Sequence, residues 1–242
     1  MRFTSETTSN GVSERAFTLG DIPGVLWSPA SAAGGRPLVL LAHGGGGHKK
    51  APGVVARAHG YVTECGFAVA AIDAPGHGDR PRTEEDDRVI ADIRERMAAG
   101  EPVGSQIARY SAALAAQAVP DWQATLDALQ DGAALGPVGF WGMSQGSAIG
   151  VPLGAAEPRI TAAVFGLAGR ETLADSAARV TIPLEFWLQW DDELVPRDSG
   201  LALFDAFASR EKTLHAHPGR HAELPVSERG SSQRFLAGHL LT

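Results

Sequence analysis

The chain has 242 residues, 44% of them hydrophobic and 20% charged, and this composition suffices for one sizeable core in a single domain, 1–242. Its formal net charge of −7 argues against nucleic acids and anionic membranes as partners, because both require a basic face. Apolar runs are too short to span a bilayer, and the N-terminal sequence lacks the apolar core of a secretory signal. Since Cys65 is the only cysteine, no intrachain disulfide is predicted, and the cytoplasm is the simplest location.

The first half of the sequence alternates strand and helix patterns. Strands are predicted in ERAFTLG, IPGVLWSP, RPLVLLA and FAVAAID. The last two are short continuous apolar runs, which are typical of parallel strands covered on both faces. Helices are predicted in APGVVARAHGYVTEC and in the charged segment 80–103, where Thr83 is a suitable N-cap and the helix is a candidate small cover. Two further helices are predicted in SQIARYSAALAAQAV and DWQATLDALQ, the second capped by Asp121.

The second half continues the alternation. Strands are predicted in PVGFWG, ITAAVFGLAG, IPLEFWLQW and KTLHAHP, and helices in SAIGVPLGAAEP, DSGLALFDAFASR and ERGSSQRFLAGHLL. Strands that alternate with helices indicate a mostly parallel sheet with helices on both faces. In such sheets ligands bind at the carboxyl ends of the strands, so the loops that follow the strands are expected to contain the functional residues.

One of these loops contains a G-x-S-x-G sequence, Gly142 to Gly146, with Ser144 at its centre. The pattern is typical of a sharp strand-to-helix turn that holds a serine in a strained conformation with its hydroxyl exposed. The flanking glycines allow the helix and a neighbouring strand to approach closely. A serine hydroxyl is a weak nucleophile, so it requires a base, and the base requires an orienting acid.

The serine turn, the order of the strands and the later motifs together resemble the α/β-hydrolase fold over essentially the whole chain. The resemblance implies an eight-stranded, mostly parallel sheet with helices on both faces. Only about fourteen residues, 169–182, separate the sixth and seventh predicted strands, where large lids of this superfamily lie, so no large cap domain is expected. The resemblance also implies a fixed order of catalytic residues along the chain: serine, acid, histidine.

The sequence offers candidates in that order. His221 follows the last predicted strand in LHAHPGRH, and Asp191 and Asp192 follow another strand in FWLQWDDELVP. Family loops of this kind read D-x-x-V-P, a frame that Asp192 fits and Asp191 misses by one residue. The predicted catalytic residues are therefore Ser144, Asp192 and His221.

An oxyanion hole is the other feature that the resemblance implies. One backbone N–H is expected from Gln145, which follows the nucleophile. The second is expected from the glycine loop after the predicted strand RPLVLLA, which resembles the HGGG motif of esterases and lipases. Gly45 is the preferred donor, with Gly44 and Gly46 as alternatives.

Some of the remaining polar and aromatic residues are expected to contact the substrate or to face solvent. Trp190, Met143 and His48 are the candidates for contact with substrate, and Lys49 is expected to face solvent.

His215 and His217 share one face of a strand, which is compatible with a metal site. No further acidic ligand lies in that segment, so no metal is predicted and these two histidines are interpreted as structural or surface residues.

The sequence therefore predicts a serine hydrolase, a carboxylesterase that acts on a small-molecule ester without a cofactor. DDELVP and PGRH resemble the dienelactone-hydrolase branch, which often has cysteine where this chain has Ser144. Cleavage of an amide, thioester, lactone or carbon–carbon bond by the same residues is an alternative, as is a non-catalytic ligand-binding protein. The acyl and alcohol groups of the substrate and the oligomeric state are not predicted.

Overall fold

The computed structural model describes residues 1–31, 34–132 and 135–241. The strands of these residues form one mixed sheet. The strands are β1 (Arg2–Ser9), β2 (Val12–Leu19), β3 (Ile22–Pro29), β4 (Arg36–Ala42), β5 (Ala68–Ile72), β6 (Leu135–Gly142), β7 (Ile160–Gly166), β8 (Leu184–Gln189) and β9 (Lys212–His217). The helices are α1 (Pro52–Cys65), α2 (Glu84–Ala98), α3 (Gly104–Gly132), α4 (Gln145–Ala156), α5 (Ala174–Ala177), α6 (Arg197–Ala206) and α7 (Glu228–Leu240).

The strand order is β1-β2-β3-β5-β4-β6-β7-β8-β9. The pairs among β1, β2, β3 and β5 are antiparallel, and all pairs from β5 through β9 are parallel. The mostly parallel sheet predicted from the sequence is confirmed, but it has nine strands within the described residues where eight were expected. The missed strand, β1, is exposed along its whole length and so lacks an apolar pattern. It forms because Asn10 and Gly11, both at positive φ, fold it back onto β2.

Helices cover both faces of the sheet and bury two separate cores. In β4, Leu38 and Leu40 belong to the core under α3 and α4, whereas Val39 and Leu41 belong to the core under α1 and α7. Alternate residues of a strand point to opposite faces, so a strand covered on both sides must be apolar throughout. This explains the continuous apolar run that predicted the strand.

The two helices predicted in SQIARYSAALAAQAV and DWQATLDALQ form one continuous helix. Helix α3 continues through Pro120, and Asp121 is therefore not an N-cap; its carboxylate forms an ion pair with Arg80 at 2.5 Å. Proline removes one helical hydrogen bond, but apolar side chains on both sides of it, such as Ala118 and Trp122, are buried against the sheet. Burial of this continuous stripe keeps the helix intact.

The helix in segment 80–103 begins as predicted. The Thr83 hydroxyl accepts a hydrogen bond from the Asp86 N–H, and the Asp86 carboxylate accepts one from the Thr83 N–H, which forms a capping box. In the described part of the chain, no helix is long and apolar enough to cross a membrane.

Candidate active site

Ser144 lies on the turn that joins the carboxyl end of β6 to the first residue of α4. Its φ of 55° and ψ of −118° put a non-glycine residue in a region that side chains rarely adopt. The Ser144 N–H donates to the Gly166 carbonyl at 2.9 Å, which ties the turn to the end of β7. Such strain is kept where surrounding contacts fix the backbone, and here it presents the hydroxyl above the sheet.

The flanking glycines are required for clearance, as the sequence predicted. A Cβ on Gly142 would lie 2.7 Å from the backbone of Gly146, and a Cβ on Gly146 would lie 2.9 Å from the Ala42 carbonyl oxygen. Neither neighbour is a flexible side chain that can move aside. Helix α4 can therefore begin directly over β4 and β6 only with glycine at both positions.

Ser147 secures the same turn and was missed by sequence reasoning. Its buried hydroxyl lies 2.7 Å from the carbonyl oxygens of both Gly142 and Gly166 and accepts a hydrogen bond from the Gly166 N–H at 2.8 Å. The hydroxyl thus joins the ends of β6 and β7 to α4. The sequence offered no signal, because a serine in a helix is ordinary.

His221 and Asp192 lie in line with the serine. The Ser144 Oγ is 2.9 Å from Nε2 of His221, and Nδ1 of His221 is 2.7 Å from Oδ2 of Asp192. Both contacts are satisfied when Nδ1 carries the proton and donates to Asp192, which leaves Nε2 to accept from the serine hydroxyl. Three residues that are far apart in the sequence are thus assembled as nucleophile, base and acid would be.

The structure distinguishes the two adjacent aspartates. The Asp192 side chain is 3% exposed, and its Oδ1 accepts from the N–H groups of Leu194 and Val195 at 2.8 and 2.9 Å. Asp191 is exposed and accepts from the Gly219 N–H at 3.2 Å, away from the imidazole. Only Asp192 meets the histidine.

Glu193 holds the loop that carries His221 and is a second residue that sequence reasoning missed. Its Oε2 accepts a hydrogen bond from the His221 N–H at 3.0 Å, and this bond holds the pKa of Glu193 below its ordinary value. Its other oxygen faces Arg220 at 3.4 Å. Glu193 thereby joins the loop after β8 to the loop after β9.

The glycine loop after β4 lies opposite the histidine. Gly45, Gly46 and Gly47 line a cavity shared with Ser144 and Gln145. The Gly47 N–H donates to the Gly44 carbonyl at 3.0 Å, so Gly47 is already engaged in a turn. A Cβ on Gly45 would lie 3.4 Å from the Gln145 side chain, which places Gly45 beside the start of α4. The first N–H groups of a helix have no partner within the helix, and Gln145 is the first residue of α4.

Two buried polar groups fix this glycine loop. Burial lowers the pKa of His43 to about 4, so its imidazole is neutral and accepts from the Ala74 N–H at 3.1 Å. Lys49 is buried, and the expectation that it faces solvent is wrong. Its Nζ lies 2.6 Å from the carboxylates of both Asp73 and Asp79. The sequence did not predict these ion pairs of Lys49, because Asp73 and Asp79 are in a different loop.

Two cavities meet at the serine. The first, lobe A, has a volume of about 330 Å³ and is mainly apolar; its walls come from α3, the loop after β7 and residues 194–196, and include Ile107, Ala108, Leu167, Ala168, Leu173, Leu194, Val195 and Pro196. The second, lobe B, has a volume of about 390 Å³; its walls come from the glycine loop and α2, and include Arg82, Ile90, Ile93, Arg94 and Met97. Ser144, Gln145 and His221 line both lobes.

The three residues suggested for substrate contact lie outside the walls of both lobes. His48 is exposed, and its ring accepts from the Lys50 N–H. Trp190 is 38% exposed and stacks under Arg197, whose guanidinium is 4.7 Å from the ring centre. Met143 is buried under the turn, near Gly166. Proximity in sequence to Ser144 or Asp192 suggested these residues, but adjacent side chains point in different directions.

Leu167, in contrast, lines lobe A at a positive φ of 54°. Leucine rarely adopts this conformation, so no sequence signal predicts it here. The backbone is held there because the Leu167 N–H donates to the Trp187 carbonyl at 2.9 Å.

Solved structures with the same fold match the whole chain. One is a cold-adapted esterase from an Arctic intertidal metagenomic library with polyethylene glycol bound, which is 34% identical with a TM-score of 0.80, covering 99% of this chain and 100% of that one. A zinc-bound structure of a cold-adapted esterase from such a library is 31% identical with a TM-score of 0.74 and the same coverage. An acetyl xylan esterase from Paenibacillus sp. R4, 16% identical with a TM-score of 0.74, covers 99% of this chain and 88% of that one and shows the fold alone. No family model and no curated protein matches the chain.

Proposed function

Because the chain belongs to the esterases of the α/β-hydrolase family, we propose that Ser144 is its nucleophile, His221 its general base and Asp192 the acid that orients His221. The observation that carries this proposal is the continuous line of hydrogen bonds from Ser144 Oγ to His221 Nε2 and from His221 Nδ1 to Asp192 Oδ2, at 2.9 and 2.7 Å. The lengths are those of a nucleophile in contact with its base.

The reaction begins when Ser144 Oγ attacks the ester carbonyl carbon and its proton passes to Nε2 of His221. The electron pair of the carbonyl double bond moves to the oxygen, which becomes an oxyanion. The oxyanion then collapses, the bond to the alcohol breaks, and the alcohol leaves with the proton from Nε2. Asp192 stabilises the imidazolium while that proton resides there.

Water completes the cycle in the same manner. His221 takes a proton from water, whose oxygen bonds to the acyl carbon, and the second oxyanion collapses with release of Ser144 Oγ. The serine recovers its proton from His221, and the carboxylic acid leaves. The N–H groups of Gly45 and Gln145 stabilise both oxyanions. The position of Gly45 beside the start of α4, at the shared wall of lobe B, supports this assignment over Gly44, which does not line the lobe.

The two lobes supply sites for the two halves of an ester. Lobe A is lined mainly by apolar side chains, so it suits the acyl chain, whose burial is driven by the hydrophobic effect. Lobe B is lined by the Arg82 and Arg94 side chains as well as by Ile90, Ile93 and Met97 of α2, so we assign it to the alcohol. On this assignment the segment 80–103 forms a small helical cover within the single domain 1–242.

Covalent labelling tests the nucleophile. A fluorophosphonate forms a bond only with an activated serine, so the wild-type chain gains one label and Ser144→Ala gains none. Turnover of a p-nitrophenyl ester falls by up to about 10⁶-fold in Ser144→Ala, as in other enzymes that lose a serine nucleophile. Ser5→Ala, in edge strand β1, is the matched control and labels like the wild type. Labelling of a folded Ser144→Ala variant at the wild-type rate would remove Ser144 from the mechanism.

A further inference from the structure

A second cluster of ionisable side chains lies beside the strand that precedes the catalytic loop. His215 and His217 project from one face of β9, and the buried carboxylate of Glu228, the first residue of α7, lies between them. Glu228 Oε2 is 2.8 Å from Nδ1 of His215, and Oε1 is 2.8 Å from Nε2 of His217. The acidic partner that the strand segment itself lacks is thus supplied by a helix eleven positions further on.

The donor atoms of this trio converge on one point. One ligand atom from each of the three residues lies within 4.8 Å of the other two. Tetrahedral zinc, with bonds of about 2.1 Å, sets its ligand atoms roughly 3.4 Å apart. The trio reaches that spacing with shifts of roughly one ångström or less, since a contact of 2.8 Å has to open slightly and the widest pair of ligand atoms, at most 4.8 Å apart, has to close. Two imidazoles and one carboxylate are also a ligand set that binds zinc in proteins.

A fourth residue occupies the position of an outer-shell partner. Oε1 of Glu185 lies 3.6 Å from Nε2 of His215, the ring nitrogen that does not face Glu228. Metal-bound histidines commonly donate their second ring N–H to a carboxylate, which fixes the ring orientation. Glu185 is itself held by the Ser231 hydroxyl at 3.0 Å and the Trp187 indole N–H at 3.3 Å. With a cation at Nδ1, the proton of His215 lies on Nε2 and points to Glu185.

The charges of the cluster also favour a cation. The side chains of Glu185 and Glu228 are 6% and 9% exposed, and among the described residues their only ion-pair partners are His215 and His217. Neither lysine nor arginine pairs with these two carboxylates in the described ranges. Buried carboxylates require a compensating charge or a metal. A divalent cation supplies two positive charges, which match the two carboxylates.

We propose that His215, His217 and Glu228 bind a divalent transition-metal ion, with zinc the best match to their donor atoms, and that Glu185 orients His215 as an outer-shell partner. Three protein ligands leave one tetrahedral position for water. The ion joins the end of β9 to the start of α7, the two ends of the loop 218–227 that carries His221. The site is therefore a structural clip next to the catalytic loop, and its existence does not depend on the proposed role of Ser144.

Calorimetric titration of the chelator-stripped, full-length chain with Zn²⁺ tests the site. We expect one ion per chain, together with a higher midpoint of thermal unfolding in the presence of Zn²⁺, because a ligand that binds only the folded state stabilises it. His217→Gln and Glu228→Gln each remove one ligand and weaken binding at least about 100-fold. Glu185→Gln keeps the ligands and weakens binding by about 10- to 100-fold, as loss of an outer-shell carboxylate does.

Two control variants make the result specific. His239→Gln alters another histidine that faces a carboxylate, that of Glu211 at 2.9 Å, and leaves zinc binding unchanged. His221→Gln tests whether the ion instead binds beside Ser144, and it too leaves the affinity unchanged. The proposal is overturned if the wild-type chain binds no Zn²⁺ at about 100 µM, which is on the order of the dissociation constants of weak metal sites. Loss of binding in His221→Gln, or wild-type affinity in both ligand variants, also overturns it. Metal-free melting curves verify folding, and Glu228→Gln replaces His217→Gln if the latter fails to fold.

Discussion

The carboxylate of Asp192 lies 2.7 Å from Nδ1 of His221, and its other oxygen accepts two backbone N–H groups. The carboxylate is therefore fixed in place and acts only as an acceptor toward the imidazole. An asparagine at this position can turn an N–H toward Nδ1. That donor favours the tautomer with the proton on Nε2, which is unable to accept the proton of Ser144.

Asp192→Asn should therefore lower kcat by about 10⁴-fold, as the same change does in the serine protease triad. Asp191→Asn is the matched control, because it alters the adjacent aspartate, and the amide oxygen still accepts from the Gly219 N–H. Its kcat should fall less than about tenfold. Steady-state kinetics with a p-nitrophenyl ester measure both variants, and a reversed order of severity would show that Asp192 is not the orienting acid.

Filling lobe A should change the preference for acyl length. Ala108 lines lobe A from α3, and Ala108→Phe places a ring where we propose that the acyl chain lies. Long acyl chains should lose at least about tenfold in kcat/KM, the lower end of the range for apolar pocket contacts, while acetate esters keep most of their rate. A panel of p-nitrophenyl esters with increasing acyl length measures the shift.

Ala113→Phe is the control for this series. Ala113 lies on the same helix but borders a different surface cleft, away from Ser144. Its acyl-length profile should match that of the wild type. An equal loss for acetate and long-chain esters in Ala108→Phe would mean that the acyl chain does not occupy lobe A.

Removal of one partner from the pair formed by Lys49 and Asp73 should be strongly destabilising. Asp73 is fully buried and accepts from Lys49 N–H, Lys49 Nζ and Asp79 N–H at 2.7, 2.6 and 2.9 Å. Asp73→Asn removes the charge and leaves the ammonium of Lys49 with only the exposed Asp79. Loss of one partner from a buried pair costs about 3 to 5 kcal/mol. Urea unfolding measures the loss, and Asp79→Asn should cost less because its carboxylate is 75% exposed.

The same pair should also give stability a dependence on pH. Burial raises the pKa of Asp73, but the donors from Lys49 and Asp79 outweigh burial and hold it below its ordinary value. A carboxyl group with a lower pKa in the folded state stabilises the protein fully above its unfolded pKa of about 3.9. That contribution is lost as pH falls through the folded pKa. The free energy of unfolding of Asp73→Asn should therefore fall less steeply than that of the wild type below about pH 5. Parallel curves for the two proteins would contradict this assignment.

The parallel part of the sheet and the turn that carries Ser144 are encoded in local sequence patterns. Continuous apolar runs such as 37–42, which end in glycines, are typical of a strand buried on both faces, and they predicted its position without knowledge of its neighbours. Gly142 and Gly146 around Ser144 likewise indicate a close approach of backbone, because the requirement for no side chain is local. His221 was identified from a resemblance and from its place in a loop.

Features that depend on which loops meet are specified only in the assembled fold. Lys49 was expected in solvent because nothing near it in the sequence marks Asp73 as a partner. Edge strand β1 has no apolar pattern, since it forms by backbone pairing across a turn at Asn10 and all of its residues remain exposed. The contacts expected of Trp190, Met143 and His48 were inferred from adjacency, and adjacent side chains diverge.

The same reason accounts for the cluster on β9. From the sequence, His215 and His217 share a face of a strand, but whether an acidic residue faces them depends on how α7 packs against the sheet. Periodicity specifies which face of an element is buried, and it does not specify which residue of another element lies opposite. Local chemistry is therefore encoded within short segments, whereas the pairing of His215 with Glu228 and of Asp73 with Lys49 exists only once the sheet and its helices have assembled.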